Sequence, residues 1–161
     1  MIGILVTISP RRFALLEDDP GLIADVIAKR AEEPIAGLLE LGSAWDALDR
    51  ILGGDGDALM RDAILARGGG AVGPDLGRGP PRVISTEQVR RIASALTELP
   101  EDTVARRYGV VAGSEVFGGW GAREDRDGAI AELTALLGAV RELYDQAAGE
   151  GHGMLAVVVS A

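Results

Sequence analysis

Hydrophobic and polar residues alternate at the start of the chain and then repeat with helical spacing. Over residues 2–9 every second residue is Ile or Val, which is the period of a β-strand. Ser9–Pro10 has the composition of an N-cap followed by proline at the first helical position, so we predict a short helix to about Leu16. A second helix is predicted over residues 21–30, and Pro34 prevents its continuation.

The middle of the chain begins with a short strand and an amphipathic helix. The strand is predicted over Leu38–Leu41, and Ser43 can cap the helix that follows. Trp45 shares one face of that helix with Leu48 and Leu52. We therefore interpret Trp45 as a core residue and not as part of a ligand site.

Further turns and helices follow. Asp57 can cap the next short helix. Residues 73–82 contain three prolines and cannot form a regular helix, whereas residues 82–84 can pair as a strand. Ser85 with Gln88 fits a capping box at the start of an amphipathic helix.

The last third of the chain predicts a long helix and a buried strand. A short helix over residues 100–108 and a loop over residues 109–121 precede a helix over residues 127–148. A continuous apolar run over residues 154–159 is typical of a strand buried on both faces. We favour a core position over a dimer seam for the apolar stripe of the long helix, which consists of Ile130, Leu133, Leu137, Val140 and Tyr144.

Composition narrows the possible classes of function. The chain has 161 residues, which fits a single domain. It has no cysteine, so disulfides, thiolate metal sites, iron–sulfur clusters and a cysteine nucleophile are excluded. The formal net charge is -9 at pH 7, and the arginine pairs have acidic neighbours, so a nucleic-acid partner is not predicted. A basic protein partner is compatible with this charge.

No segment of the sequence predicts export or membrane insertion. The apolar start is short, has no basic residues before it and runs into Pro10. No apolar run approaches the ~20 residues of a membrane helix. We therefore predict a cytoplasmic protein without a cofactor or a membrane partner, present as a monomer or a homodimer.

A series of motifs occurs in a fixed order between residues 41 and 96. They are Leu41, Trp45–Asp46–Ala47–Leu48, Leu52–Gly53, Gly68–Gly69, Asp75–Leu76–Gly77–Arg78–Gly79–Pro80–Pro81–Arg82, and the helix of Val89, Ile92, Ala93 and Leu96. This order resembles the YfbM-like family, a bacterial domain of unknown function. The two ends of the chain agree with the family only in the kind of element.

The family implies a fold but no chemistry. It implies a compact α+β structure, so we predict one domain over residues 1–161, with the N- and C-terminal strands in a small mixed β-sheet packed by several helices. It brings no established activity, cofactor or catalytic residue. Where the family often has a histidine after the leucine of the Trp helix, this chain has Asp49, and its late loop has Val116–Gly119 in place of a Tyr–Pro pair.

Two motifs that suggest ligand chemistry occur in the wrong context. Residues 68–73 match the string G-x-G-x-x-G, but they follow a predicted helix and precede a proline, whereas a dinucleotide loop follows a strand and opens a helix. We interpret them as a structural turn. Asp55, Asp57 and Asp62 suggest a metal site, but apolar residues interrupt the alternation that a calcium loop needs, so no metal is predicted.

A complete catalytic set is not visible. His152 is the sole histidine and precedes the last strand in a glycine-rich loop. Any serine triad would need it as the base, and neither Ser114 nor Ser160 has the context of a nucleophile elbow. We therefore assign no catalytic residue.

Four residues are candidates for binding a ligand or partner: Trp120, Arg78, Arg82 and Asp49. Trp120 lies on a glycine-rich loop, where we expect it to be exposed. Arg78 and Arg82 flank a Pro–Pro turn, where they could bind a carboxylate or phosphate, although we favour a role in tying loop carbonyls together. Asp49 stands where the family often has its histidine.

These features favour a non-catalytic soluble binding module, for instance an inhibitor or immunity-type factor for a basic protein. The alternative is a small-molecule sensor or enzyme with a pocket near the Gly/Pro-rich loop, because ligand sites often lie on loops held by a rigid scaffold. A purely structural homodimer formed through the last long helix is a third reading.

Overall fold

The first and last strands of the chain lie side by side in the centre of a five-stranded sheet. The computed structural model describes residues 1–30, 32, 35–54 and 56–160. The strand order is β2 (Leu38–Gly42), β1 (Ile2–Ile8), β5 (Gly153–Val159), β4 (Arg82–Ile84) and β3 (Gly70–Ala71). The predicted α+β fold, with both terminal strands in the sheet, is confirmed.

Helices connect the strands and cover both faces of the sheet. Short 3-10 segments, Tyr108–Val110 and Phe117–Ala122, lie between α6 and α7. The bounds of the α-helices are α1 (Pro10–Asp18), α2 (Gly21–Lys29), α3 (Trp45–Gly53), α4 (Ala58–Leu65), α5 (Thr86–Glu98), α6 (Thr103–Arg107) and α7 (Arg126–Glu150).

Three of the predicted helix starts are built as the sequence suggests. The hydroxyl of Ser9 accepts a hydrogen bond from the backbone N–H of Arg12, with proline at the first position of α1. The carboxylate of Asp57 caps α4. Ser85 and Gln88 form a complete capping box at the start of α5, which satisfies backbone donors that have no partner within the helix.

The predicted cap at Ser43 is wrong. Helix α3 begins one residue later than expected, with Ala44 in the cap position and no side-chain hydrogen bond there. The Ser43 hydroxyl lies instead 3.4 Å from the indole Nε1 of Trp120. A contact with a distant residue has therefore replaced the local one.

The two faces of the sheet carry two separate hydrophobic layers, because side chains alternate along each strand. On one face Ile4, Val6 and Ile8 of β1 pack with residues of α1 and α2. On the other face Leu5 packs against the larger helical layer. Strand β5 alternates in the same way, which explains why its whole length is buried.

The direction of the strands differs from the expectation of a mixed sheet. Each pairing between neighbouring strands is antiparallel. A run that is apolar on both faces is typical of parallel sheets, which helices cover on both sides. Here the sheet is antiparallel, but α1 and α2 cover its second face. The strand is therefore apolar on both faces, as a strand of a parallel sheet would be.

The apolar stripe of α7 packs inside the chain. Leu133, Leu137, Val140 and Tyr144 are buried in the larger core, and Ile130 packs at its margin. The Tyr144 hydroxyl donates a hydrogen bond to the carbonyl of Ala63, with a distance of 2.9 Å. This confirms the core interpretation of the stripe. The prediction that Pro34 stops α2 concerns a residue outside the described part of the chain.

Candidate functional site

A pocket of about 300 Å³ lies where the short strand β4 leaves part of β5 uncovered. Arg82 of β4 pairs with Ala156 of β5. In the same register Pro80 and Pro81 would come opposite the next residues of β5, but prolines have no N–H to extend a ladder. The floor of the pocket is therefore formed by Ala156–Val158 of β5.

The loop that carries Arg78 over this floor is shaped by a carboxylate. Asp75 accepts hydrogen bonds from the backbone N–H groups of Gly77 and Gly79, at 2.8 Å and 2.9 Å. Gly77 also forms a bridge to Val159 at the end of β5. Arg78, between these anchored residues, is exposed and lines the pocket. Its guanidinium carbon lies 5.0 Å from the centre of the Trp45 ring.

Arg82 holds the opposite wall of the pocket in place. Its guanidinium donates hydrogen bonds to the carbonyls of Arg67 and Gly69, at 3.0 Å and 3.1 Å. The favoured interpretation, that Arg82 ties loop carbonyls together, is confirmed. Within the described residues, Arg78 makes no such bond. Arg67, whose backbone is fixed in this way, also lines the pocket.

Two residues at the start of α3 complete the lining. Trp45 is 2% exposed, which confirms its prediction as a core residue, and its ring stacks on Phe117 with the centroids 5.8 Å apart. Asp46 is already engaged, because it accepts a hydrogen bond from the backbone N–H of Phe117 at 2.9 Å and one from Arg50 at 3.4 Å. The lining of the pocket therefore includes three arginine residues and one carboxylate that already accepts hydrogen bonds.

Asp49 lies behind this pocket and is connected to it by Arg67. The Asp49 side chain is 7% exposed and forms an ion pair with Arg67, whose side chain is 57% exposed. The Oδ1 atom of Asp49 has no hydrogen-bond partner among the described residues. Burial raises the pKa of the Asp49 carboxyl above its ordinary value, and the neighbouring Arg67 offsets part of that effect.

A second pocket opens on the Asp49 side of Arg67. It has a volume of about 330 Å³ and is lined by Asp49, Arg50, Gly53, Gly54, Arg61, Arg67 and Val110. Arg67 therefore borders both pockets. Of the four residues predicted to bind a ligand or partner, the structure brings Arg78, Arg82 and Asp49 into one region.

The expected exposure of Trp120 is wrong. Trp120 is 5% exposed, and its backbone carbonyl accepts a hydrogen bond from the Tyr108 hydroxyl at 2.7 Å. Gly118 and Gly119 have φ angles of 79° and 71°, a left-handed conformation that turns the loop inward. Arg123 covers the outer face of the ring at 4.0 Å. Trp120 is part of the core and does not line the arginine pocket.

The residues considered for other chemistry have structural contacts. Asp57 caps α4, and Asp62 accepts a hydrogen bond from Gly68 at 2.7 Å. Asp55 lies outside the described residues. The part of the chain that is described contains no group of three His, Cys, Asp or Glu side chains able to hold a metal ion. His152 is partly buried, with Nδ1 3.1 Å from Glu150, and does not line either of the two pockets that Arg67 borders.

Two residues of the glycine string 68–73, Gly70 and Ala71, form the edge strand β3. Gly70–Ala71 pairs with Val83 and Arg82, and no helix begins at its end. The interpretation of this segment as structural is consistent with that geometry. Over residues 1–30, 32, 35–54 and 56–160, none of the helices has both the length and the hydropathy needed to cross a membrane.

A larger groove on the opposite face of the sheet has a different character. It has a volume of about 610 Å³ and lies between β1 and the helices α1 and α2. Its lining includes the exposed apolar residues Leu15, Leu22 and Val26. Two basic and two acidic side chains line it, so no charge predominates: Arg12, Lys29, Asp25 and Glu32.

Sequence reasoning missed Arg67 and Asp46 as residues of the arginine pocket. Arg67 follows α4 in a glycine-rich turn, and no periodic pattern marks it. Its role depends on Arg82, which is 15 residues away. A contact over that distance is visible only when β4 has been placed beside β3.

Comparison with known proteins identifies the family of this chain. The sequence profile of a domain of unknown function, DUF1877, matches residues 1–157. The chain belongs to this family. A crystal structure of YfbM from Escherichia coli, a protein of unknown function, is similar with a TM-score of 0.75 and 17% sequence identity, over 99% of this chain and 100% of that one. At this identity the likeness establishes the fold alone. No curated protein matches the chain.

Proposed function

We propose that this protein binds a small anionic ligand, with a carboxylate or phosphate group, in the pocket lined by Arg67, Arg78 and Arg82. The observation that carries the proposal is the presence of three arginine residues in the lining of one pocket in a chain of net charge -9. Guanidinium groups bind carboxylates and phosphates with two parallel hydrogen bonds. This is the small-molecule alternative raised by the sequence.

The contacts of the pocket favour an anion over a cation. Asp46, the carboxylate of the lining, already accepts bonds from Phe117 and Arg50. Arg78 has no ion-pair partner among the described residues, so its charge is available to a ligand. Arg82 contributes positive electrostatic potential to the pocket. It also makes the pocket rigid, since its hydrogen bonds hold the turn of Arg67. The volume, about 300 Å³, is at the small end of the range for ligand sites.

Binding can be tested by calorimetry with sulfate, inorganic phosphate and citrate. Saturating ligand should raise the melting temperature, because ~100-fold excess over Kd adds ~2.7 kcal/mol. Replacement of Arg78 by Gln should weaken binding about tenfold or more, as expected for the loss of a charge-assisted hydrogen bond. Arg78 is the better target, since Arg82 also supports the fold.

A matched control is available on α5. Arg90 is exposed and lines none of these pockets, so Arg90→Gln makes the same change in net charge at a different place. We expect Arg90→Gln to bind all three anions as the unmodified protein does. Equal losses in the two variants, or no binding of any of the three anions, would refute the proposed site.

A basic protein partner is the second candidate, supported by the net charge of -9. It would make the protein an inhibitor or immunity-type factor. The burial of Trp120 removes the exposed aromatic residue that favoured this candidate. A stoichiometric complex with a basic protein that weakens steeply with salt would support it. The Arg78→Gln variant should form such a complex unchanged.

A further inference from the structure

Arg67 is shared between the proposed anion pocket and a buried carboxylate. Its guanidinium is paired with Asp49, yet the residue lines the pockets on both sides. More than half of its side chain is exposed, while its backbone carbonyl is held by Arg82. Arg67 can therefore reorient its guanidinium toward a ligand without moving its turn.

Such a movement has a consequence for Asp49. The Asp49 side chain is more than nine-tenths buried, and its Oδ1 atom has no partner among the described residues. Arg67 is the only cation within hydrogen-bond distance of it in the described part of the chain. An ionised carboxylate that is buried without a partner is costly, and the usual outcome is protonation.

We infer that an anion in the pocket competes with Asp49 for Arg67, and that Asp49 takes up a proton from solvent when the anion binds. This inference rests on the proposed function. One proton is added to the carboxylate, and Arg67 keeps its charge throughout. Asp49 is in this way a positioning residue, because it determines where Arg67 points while the pocket is empty.

The charged groups around Asp49 agree with this assignment. Asp46 and Arg50 lie on the same helix and pair with each other. Arg61 faces the second pocket from α4, and Arg107 of α6 donates to the carbonyl of Ile51. Burial already raises the pKa of Asp49 while Arg67 opposes that effect. Withdrawal of Arg67 therefore raises the pKa further.

The experiment is calorimetry of the full chain with sulfate, whose charge does not change between about pH 5 and pH 8. Titrations in buffers of different ionisation enthalpy report the protons taken up. We expect proton uptake on binding and an affinity that rises as the pH falls, by at most about tenfold per pH unit for one linked proton. Asp49→Asn should bind sulfate more tightly at neutral pH and lose this dependence.

Controls separate the coupling from general electrostatics. Asp145→Asn, at an exposed position of α7, changes the net charge equally and should keep the wild-type proton uptake. Arg67→Gln combined with Asp49→Asn should lose sulfate affinity without leaving a buried charge unpaired. Sulfate binding without proton uptake, or with a pH profile unchanged in Asp49→Asn, overturns the coupling. Absence of sulfate binding also overturns it, and binding of phosphate or citrate then shows whether the anion site itself stands.

Discussion

A Cβ atom placed on Gly3 would lie 2.4 Å from the Cβ atom of Trp45, so β1 and α3 approach too closely for a side chain at this position. Replacing Gly3 by Ala must push α3 away from the sheet or force a side chain out of its rotamer. We expect a loss of about 1–3 kcal/mol in the free energy of unfolding. The melting temperature should fall by roughly 2–4 °C per kcal/mol.

The matched control is Gly138 in the middle of α7. A Cβ atom there would meet no other atom within 4 Å. Because glycine is a poor helix former, Gly138→Ala should raise the free energy of unfolding by up to about 1 kcal/mol. Unchanged melting of Gly3→Ala would show that the strand and the helix are less closely packed than the structure indicates.

The two tryptophans show which single-residue properties a sequence reveals. Trp45 shares a helical face with Leu48 and Leu52, so periodicity alone predicts its burial. Trp120 belongs to a loop in which the apolar residues have no regular spacing. Its polar contacts are with residues 12 and 77 positions away, and no local pattern encodes contacts at such distances.

Helix α5 provides a test at the scale of a secondary-structure element. Its capping box joins Ser85 and Gln88, and its apolar stripe packs in the larger core. Ser85→Ala removes a cap from a backbone N–H and should cost about 1 kcal/mol in the free energy of unfolding, measured by urea denaturation. Ser94→Ala, at an exposed position of the same helix, should be neutral or slightly stabilising, because alanine is the best helix former. Equal effects of the two changes would contradict a role for the box.

Secondary-structure elements could be predicted where local sequence patterns determine them. They could not be predicted where the pairing of distant strands determines them. Alternation places β1, capping residues place α1, α4 and α5, and an apolar stripe with helical spacing places α7. Hydrophobicity does not encode strand direction, so the mixed sheet was expected on the resemblance alone. The pocket has a partly local cause, since Pro80 and Pro81 end the pairing of β4. The position of its third arginine, Arg67, depends on how β3 and β4 pair.

The whole molecule is acidic, yet the lining of the proposed anion pocket is mainly basic. The net charge is -9, and Arg67, Arg78 and Arg82 share the pocket with only Asp46 as an acidic lining residue. A narrow positive site in a negative surround favours small anions, which can enter, over extended polyanions, which the rest of the surface repels. The same charge distribution is consistent with the sequence-based exclusion of nucleic acid.

The stability of the whole molecule should depend on pH through Asp49. Burial raises the pKa of Asp49 in the folded chain, so the folded state holds the proton to a higher pH than the unfolded state does. The free energy of unfolding therefore decreases as the pH rises from the ordinary range of aspartate through that raised value. Asp49→Asn removes this loss, so its melting temperature should exceed that of the unmodified protein at neutral pH, and the difference should shrink toward about pH 4. The control Asp145→Asn should show no such pH-dependent gain. If the difference in melting temperature between Asp49→Asn and the unmodified protein is the same at every pH, Asp49 does not titrate differently on folding.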